Sequence, residues 1–407
     1  MKWLWFAVKN VRRNRRRSAI TVLIAAVGTA ALLVSGGFAQ YTYALLRQVA
    51  ALDSGHVVLA HPAYFEDDED LPMQHGLDGA SQTRARLQAD PRVLAALPRL
   101  QFSGLLSNGD KSAVFIGTGV DAAGEFRVRG SFLWVVTAGS TLAARPPEGE
   151  APEIMLGKDL ARQLRAAPGS ALTLLATTNE GTLNAQDVRV KGIFTVGVPE
   201  LDKRAVLVHL ATAQRLLLTD RVSTVSVYLR DIAETDEVRG AVAGLYPGLA
   251  LQTWRDQAFY YRAVRALYNR IFGLLGVIIL VIVLFAVSNT LGMAVVERTR
   301  EIGTFRALGA VPAQIMRNFV LEGLVVGAAG AAIGMALAAL TSSAFDLLGV
   351  KMPPPPGYSV GYPLRIDLSL ALYAAAALAI TAASAVAAWS VSRKAAARPI
   401  VEALTHV

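Results

Sequence analysis

Apolar residues gather in four long runs, at 18–39, 271–296, 318–348 and 368–391. Each reaches the about 20 residues that an α-helix needs to cross a bilayer. Between the first and second run the pattern changes. Residues 56–60, 112–116, 171–176, 187–194, 205–210 and 222–230 have the apolar, β-branched composition of strands. Helical spacing predicts helices over 90–97, 157–164, 212–218 and 233–245. Asn108-Gly109 between apolar stretches predicts a hairpin turn. Thr253 is a candidate N-cap, and 254–270 is predicted to continue unbroken into the second span as a stalk. The predicted fold is a membrane α-helical protein with four transmembrane helices. A large α/β (α+β) domain, 40–270, lies between spans 1 and 2.

Residues 1–17 precede the first span. Trp3, Leu4, Ala7, Val8 and Val11 recur at helical spacing, with Lys2, Lys9, Arg12 and Arg13 off that stripe. Such a helix lies in the membrane interface, where Trp3 and Trp5 suit headgroup depth. The run at 18–39 exceeds a signal-peptide core and no small-x-small cleavage site follows, so it reads as an uncleaved span.

Composition agrees with this layout. The chain has 407 residues, is 53% hydrophobic, and carries a formal charge of +9. Its mean hydropathy is +0.41. The cations are concentrated at 1–17, 297–317 and 393–407, where only Glu297, Glu301 and Glu402 oppose them. Cations beside spans mark the cytoplasmic side. Both termini and 297–317 are therefore expected inside, and 40–270 and the 349–367 loop outside. A nucleic-acid-binding surface would instead place its cations on a soluble domain, so that class is excluded. The chain has no cysteine, hence no disulfide or thiol chemistry. Acidic 66–70, proline-rich 146–152 and the four prolines at 353–356 read as exposed loops, the last stiff and extended.

Several catalytic patterns fail at the level of spacing. Gly104 and Gly109 with Lys111-Ser112 resemble a phosphate loop, but Asp110 stands where the lysine must be. His56 and His61 are five apart, which on a strand sends them to opposite faces. Neither HExxH nor GxSxG occurs. No catalytic centre is expected, so energy must come from a partner.

The decisive stretch is 297–310, ERTREIGTFRALGA, between the second and third spans. As a helix it would set Glu297 and Glu301 one turn apart and align Ile302, Phe305 and Leu308 as an apolar edge. Gly303 would allow close backbone approach, and Gly309 suits the left-handed position that ends a helix. Such a loop could be only a solvated connector. However, Arg300-Glu301-Ile302-Gly303, Arg306-Ala307-Leu308-Gly309-Ala310 and Glu322 opening a glycine-rich span resemble the permeases of the FtsX/MacB/lipoprotein-releasing superfamily. Further matching words resemble the lipoprotein-releasing (LolC/LolE-like) branch. They are Ser54-Gly55-His56-Val57, 154–161 (IMLGKDLA), Val190-Lys191-Gly192-Ile193-Phe194, Glu200-Leu201-Asp202 and Ala213-Gln214-Arg215-Leu216. Pro399, Glu402, Ala403 and Leu404 fit the family's tail, 392–407.

The resemblance implies that 297–317 is a coupling helix pressed into a separate ABC ATPase. Glu297, Arg300, Glu301, Ile302, Gly303, Phe305, Arg306, Leu308 and Gly309 would carry the contact. It implies two ATPase copies, with ATP and Mg bound there and no cofactor in this chain. A second permease, identical or paralogous, and a carrier or adaptor outside would complete the assembly in the inner membrane. The outer domain would have a membrane-proximal lobe from both ends of the segment and an inserted lobe around 105–195. Motion would pass through the membrane to act on a lipoprotein or lipid. MacB-like tripartite export of peptides or small molecules is the alternative. A non-transporting receptor or an FtsX-like regulator is the reading from another class, and a receptor would not need the coupling motif. Gly323, Gly327, Gly330 and Gly334 make a small-residue stripe on span 3, for packing within one subunit or against a second. Glu322 sits at the inner mouth of that span, where headgroups could solvate it, and a structural or coupling role is expected.

Overall fold

The computed structural model describes residues 2–13, 15–66, 71–133, 135–145, 149–352 and 363–397. The expected features at 67–70, 146–148 and 353–356, and the tail residues Pro399, Glu402, Ala403 and Leu404, lie outside the described residues.

Helices α1 (Lys2–Arg13) and α2 (Arg15–Ser54) open the chain. Then come β1 (Val57–Ala60), α3 (Ala80–Gln88), β2 (Val93–Ser107), β3 (Ser112–Val120), α4 (Ala122–Leu133) and β4 (Val135–Gly139). They are followed by β5 (Glu153–Gly157), α5 (Lys158–Gln163), β6 (Ala171–Thr177), β7 (Leu183–Thr195), α6 (Pro199–Asp202), β8 (Ala205–His209) and α7 (Leu210–Leu217). The domain ends with β9 (Thr224–Leu229), α8 (Thr235–Leu245), β10 (Ala250–Thr253) and α9 (Trp254–Gln257). Helices α10 (Phe259–Glu297), α11 (Thr299–Ala307), α12 (Pro312–Leu348) and α13 (Leu370–Ala396) complete the chain.

Among the described residues, four helices are long and apolar enough to cross a membrane: α2, α10, α12 and α13. Two compact units result. The helical unit comprises residues 1–44, 263–352 and 363–407. Ile279, Val283, Val287, Leu291 and Val295 of α10 recur every four residues, so they share one stripe. That stripe packs with Ala25 of α2, Ile315 and Phe319 of α12, and Ile380, Ala387 and Ala388 of α13. The other face of α10, including Leu274, Val277, Val281 and Phe285, is exposed apolar surface. Only lipid or another apolar surface could cover it.

The second unit, residues 45–262, is built on a ten-stranded mixed sheet, β10-β1-β9-β2-β3-β8-β5-β7-β4, with β6 pairing both β2 and β7. The β3–β8 and β5–β7 pairs are parallel, and all others are antiparallel. One hydrophobic cluster joins Val57, Leu59, Leu87 and Val93 to Val222, Val227, Val238 and Val242, so it is drawn from both ends of the segment. A second runs from Met73 to Leu217, beyond the 105–195 limits expected for an inserted lobe. The 15-residue β2 contributes to both clusters, so the sheet is continuous.

Two expectations are corrected, and one helix outruns its apolar stretch. The alanine- and leucine-rich stretch at 90–97 is not a helix: its C-terminal half begins β2, paired with β9 from Val93. Ala95, Ala96 and Leu97 are fully buried there, and packing overrides helix propensity. The helix that holds the first apolar run extends beyond it: α2 continues from 39 to Ser54 with no helix-breaking residue in between. The stalk is interrupted. Thr253 and Asp256 form a capping box as expected, but Ala258 (ψ 57°) separates α9 from α10. There Trp254 and Ala258 pack on Ala51, and that burial holds the break in place.

Candidate functional site

The short helix α11 lies between two spanning helices. Arg298, at φ −108° and ψ 15°, ends α10 and opens α11. The end of α11 is fixed by a glycine. Gly309 has φ +97°, the Ala310 amide donates to the Phe305 carbonyl at 2.9 Å, and the Gly309 amide donates to Arg306 at 3.1 Å. This Schellman arrangement needs a residue free of the left-handed penalty.

The helix is shorter than the expected 297–317, so Glu297, Leu308 and Gly309 lie outside it. Glu297 is the last residue of α10, so it does not share the α11 face with Glu301. Ile302, 8% exposed, turns into the apolar core of the helical unit, and Gly303 beside it is buried. The apolar edge therefore divides. Ile302 anchors the helix inward, whereas Phe305 at 55% and Leu308 at 80% exposure face outward. Arg300 is exposed and Arg306 half-buried in the last turn, where a cation suits the helix dipole.

Ion pairs tie this region to the N-terminal helices. Arg17 meets Glu297 at 2.5 Å and Arg13 meets Glu301 at 3.5 Å. Both pairs are largely exposed, so each contributes at most about 1 kcal/mol. Their role is to set geometry.

Glu322 on α12 is not solvated as expected. It is 5% exposed, accepts from the Asn10 side-chain amide at 2.7 Å, and from Arg298 Nη1 at 3.2 Å. One carboxylate thus joins α1, the α10–α11 break and α12. A buried charge requires such partners. Sequence reasoning missed Asn10 and Arg298, although a single acid in an apolar run signals that partners exist. It could not name them.

The MacB-like periplasmic core domain model matches residues 18–245, more than half of the chain, and the FtsX-like permease C-terminal model matches residues 273–400. The chain belongs to the FtsX/MacB-like permease family. Among its relatives, the lipoprotein-releasing system transmembrane protein LolC of Xylella fastidiosa is 28% identical over 62% of this chain. The chain spans 61% of that relative's length. LolE of Haemophilus influenzae is 26% identical over 80% of this chain and 79% of its own. The macrolide export ATP-binding/permease protein MacB of Salmonella choleraesuis is 24% identical over 100% of this chain and 60% of its own.

In this permease, α11, Glu322 and the glycine stripe all fall inside the FtsX-like match. The four glycines serve two different neighbours within the chain. On α13, a Cβ on Gly323 would meet Ala388 at 2.6 Å and Ser384 at 2.8 Å, and one on Gly327 would meet Ser384 at 2.8 Å. One on Gly330 or Gly334 would meet Ala25, or Ala26 and Thr29, of α2 at 2.4–2.5 Å. Their small size lets α12 approach both helices closely.

In the domain, the phosphate-loop-like segment is a hairpin turn. The Lys111 amide donates to Asn108 Oδ1 at 2.7 Å, and Ser107 pairs with Ser112. His56 is buried with Nδ1 accepting from the Leu229 amide at 3.2 Å. His61 instead caps the turn at Pro62–Phe65 and stacks on His75, ring centroids 5.2 Å apart.

Proposed function

We propose that this chain is the transmembrane permease subunit of an ATP-driven ABC transporter, and that α11 seats in a separate ATPase. The carrying observation is the divided apolar edge of α11. Ile302 is rooted in the helical core, while Phe305 and Leu308 stand exposed beside charged residues. An exposed aromatic on a short rigid helix is the kind of anchor a partner pocket covers.

In this reading two ATPase copies bind ATP and Mg, and their closure displaces α11. The displacement reaches the spans through Ile302 and through the Arg298–Glu322–Asn10 contact. A second permease completes the complex. The chain sits in the inner membrane with both termini in the cytoplasm and the α/β domain in the periplasm. There the domain acts on substrate together with a carrier or adaptor. The leading substrate class is lipoprotein or lipid extracted from the membrane, in line with the names of the LolC and LolE relatives. A second reading, MacB-like export of peptides or small molecules, is favoured by the domain's family model and by the full-length alignment to MacB.

The test is co-purification of the cognate ATPase with wild type, Phe305→Ala and Glu301→Arg, with transport measured at matched permease levels. Truncating a buried aromatic anchor typically costs about 2 kcal/mol or more of binding. Weakened ATPase recruitment, or hydrolysis without transport, is expected while the permease still inserts. Wild-type recruitment and transport by both variants would reduce α11 to a connector. Proteoliposomes offered an acylated lipoprotein or an unacylated peptide then separate the two substrate classes.

A further inference from the structure

The C-terminal end of α2 is held by a buried ionic cluster that the coupling site does not include. Gly55, with φ +101°, follows the helix, and its amide donates to Ala51 at 3.0 Å. The carbonyls of Leu52, Asp53 and Ser54 have no such backbone donor, and the helix carries no basic residue in its last turn. Strands β2 and β9 and helix α4 supply the missing donors. Leu52 O accepts from Arg129 Nε at 2.9 Å and from the Tyr228 hydroxyl at 3.0 Å. Asp53 O accepts from Arg99 Nη1 at 2.8 Å and from Arg129. Ser54 O accepts from the Ser226 hydroxyl at 2.7 Å.

The two guanidinium groups are themselves fixed. Glu125 on α4 is fully buried, takes Arg99 in a two-pronged pair at 2.6 and 3.1 Å, and lies 3.5 Å from Arg129, one turn away. Burial alone would raise the Glu125 carboxyl. Arg99 and Arg129 outweigh it and hold the group below the ordinary carboxylate range. Two cations thus sit where the helix dipole is negative.

Stability alone does not select this arrangement. A buried ionic triad can often be replaced by packed apolar residues without loss. What the triad adds is directionality: planar guanidinium groups fix the helix end against β2 and α4 in one geometry. The other connection differs. At Ala258 the chain leaves helical geometry before α10 begins, and Trp254 and Ala258 pack on Ala51. Its polar contacts include an exposed Arg255–Asp236 pair at 2.9 Å and an Arg262 bond to the Asp256 carbonyl at 3.3 Å, with no buried ionic cluster among them.

We propose that Arg99 of β2 and Arg129 of α4 lock the end of α2 to the α/β domain, so that α2 is the arm that moves this domain while the Ala258 break yields. This rests on the transporter reading above. Arg99 and Arg129 are positioning residues: they touch the helix end and act on transport through it.

The experiment uses the full chain with its cognate ATPase in nanodiscs, comparing wild type, Arg129→Ala and Arg129→Lys. Amide hydrogen exchange reads the clamp. In Arg129→Ala the amides at 50–55 should exchange about tenfold faster, while those of β2 and β9 stay protected, which shows that the fold persists. Because the chain has no cysteine, spin labels at Gln163→Cys and Leu347→Cys report domain movement cleanly. The ATP-driven change in their separation should collapse in Arg129→Ala while ATP hydrolysis continues. Arg129→Lys, which keeps the charge at the helix end, should recover part of both readouts. It also carries the test if the alanine variant does not fold. Unchanged exchange at 50–55 would overturn the clamp. Faster exchange with a wild-type ATP-driven change would overturn its transmitting role. If wild type shows no ATP-driven change, the transporter reading fails and takes the transmitting role with it, while exchange still decides the clamp.

Discussion

The side-chain amide of Asn10 donates to the Glu322 carboxylate at 2.7 Å, across 312 positions of sequence. Through this bond and the Arg298 contact, helix α1 and the start of α11 share one buried charge. Movement of α11 therefore cannot leave α1 and α12 unaffected without breaking that contact.

Removing Glu322 should be costly. In Glu322→Ala, Arg298 keeps its buried charge without a partner, at about 3–5 kcal/mol. Thermal unfolding of the full chain in detergent should show a clear drop in midpoint. The double variant Glu322→Gln with Arg298→Met should recover much of it, because neither charge then remains. A double variant no better than Glu322→Ala would show that the two charges do not act as a unit.

The glycines should differ by position. Gly330→Ala and Gly334→Ala force Cβ atoms against α2 and should each destabilise by about 1–3 kcal/mol. Gly292→Ala meets nothing within 4 Å on α10 and should be neutral or stabilising, since alanine favours helix. The same unfolding assay ranks the three, and equal effects would contradict the packing described.

Acid should weaken the α/β domain through its histidines. Burial, partly offset by Asp231, lowers His56 from 6.5 to about 4. Burial likewise lowers His209 against the opposing effect of Glu153. The unfolded chain then binds more protons, so stability is fully present above pH 6.5. It falls as pH drops toward 4, at up to about 1.4 kcal/mol per pH unit per residue. His56→Gln keeps an acceptor for Leu229 but cannot titrate there. Its unfolding midpoint should vary less with pH between 6.5 and 4, and an unchanged slope would acquit His56.

Orientation can be read by labelling. With the outer membrane permeabilised, cysteine at Gln163 should react with an impermeant thiol reagent, and cysteine at Ala307 should not. Both side chains are exposed, so access alone decides. Labelling at Ala307 in intact cells would invert the proposed topology.

The sequence by itself determined the spanning helices, because about 20 consecutive apolar residues have few other stable environments. It also determined most strands, the Asn108-Gly109 turn and the Gly309 helix stop, all set by local backbone preference. It misread 90–97 because alanine and leucine favour helix locally, whereas pairing with β9 decides the outcome. It extended the α11 edge through Ile302 without knowing which side faced the core. The tertiary structure alone decided the partners of Glu322, the two neighbours of the glycine stripe, and the Arg99–Glu125–Arg129 clamp. These contacts join residues 24 to 312 positions apart, apart from the one-turn Glu125–Arg129 pair. No periodicity along the chain encodes them. A buried charge announces that it needs a counter-charge, but only the packing of the helices and the sheet determines which one comes within reach.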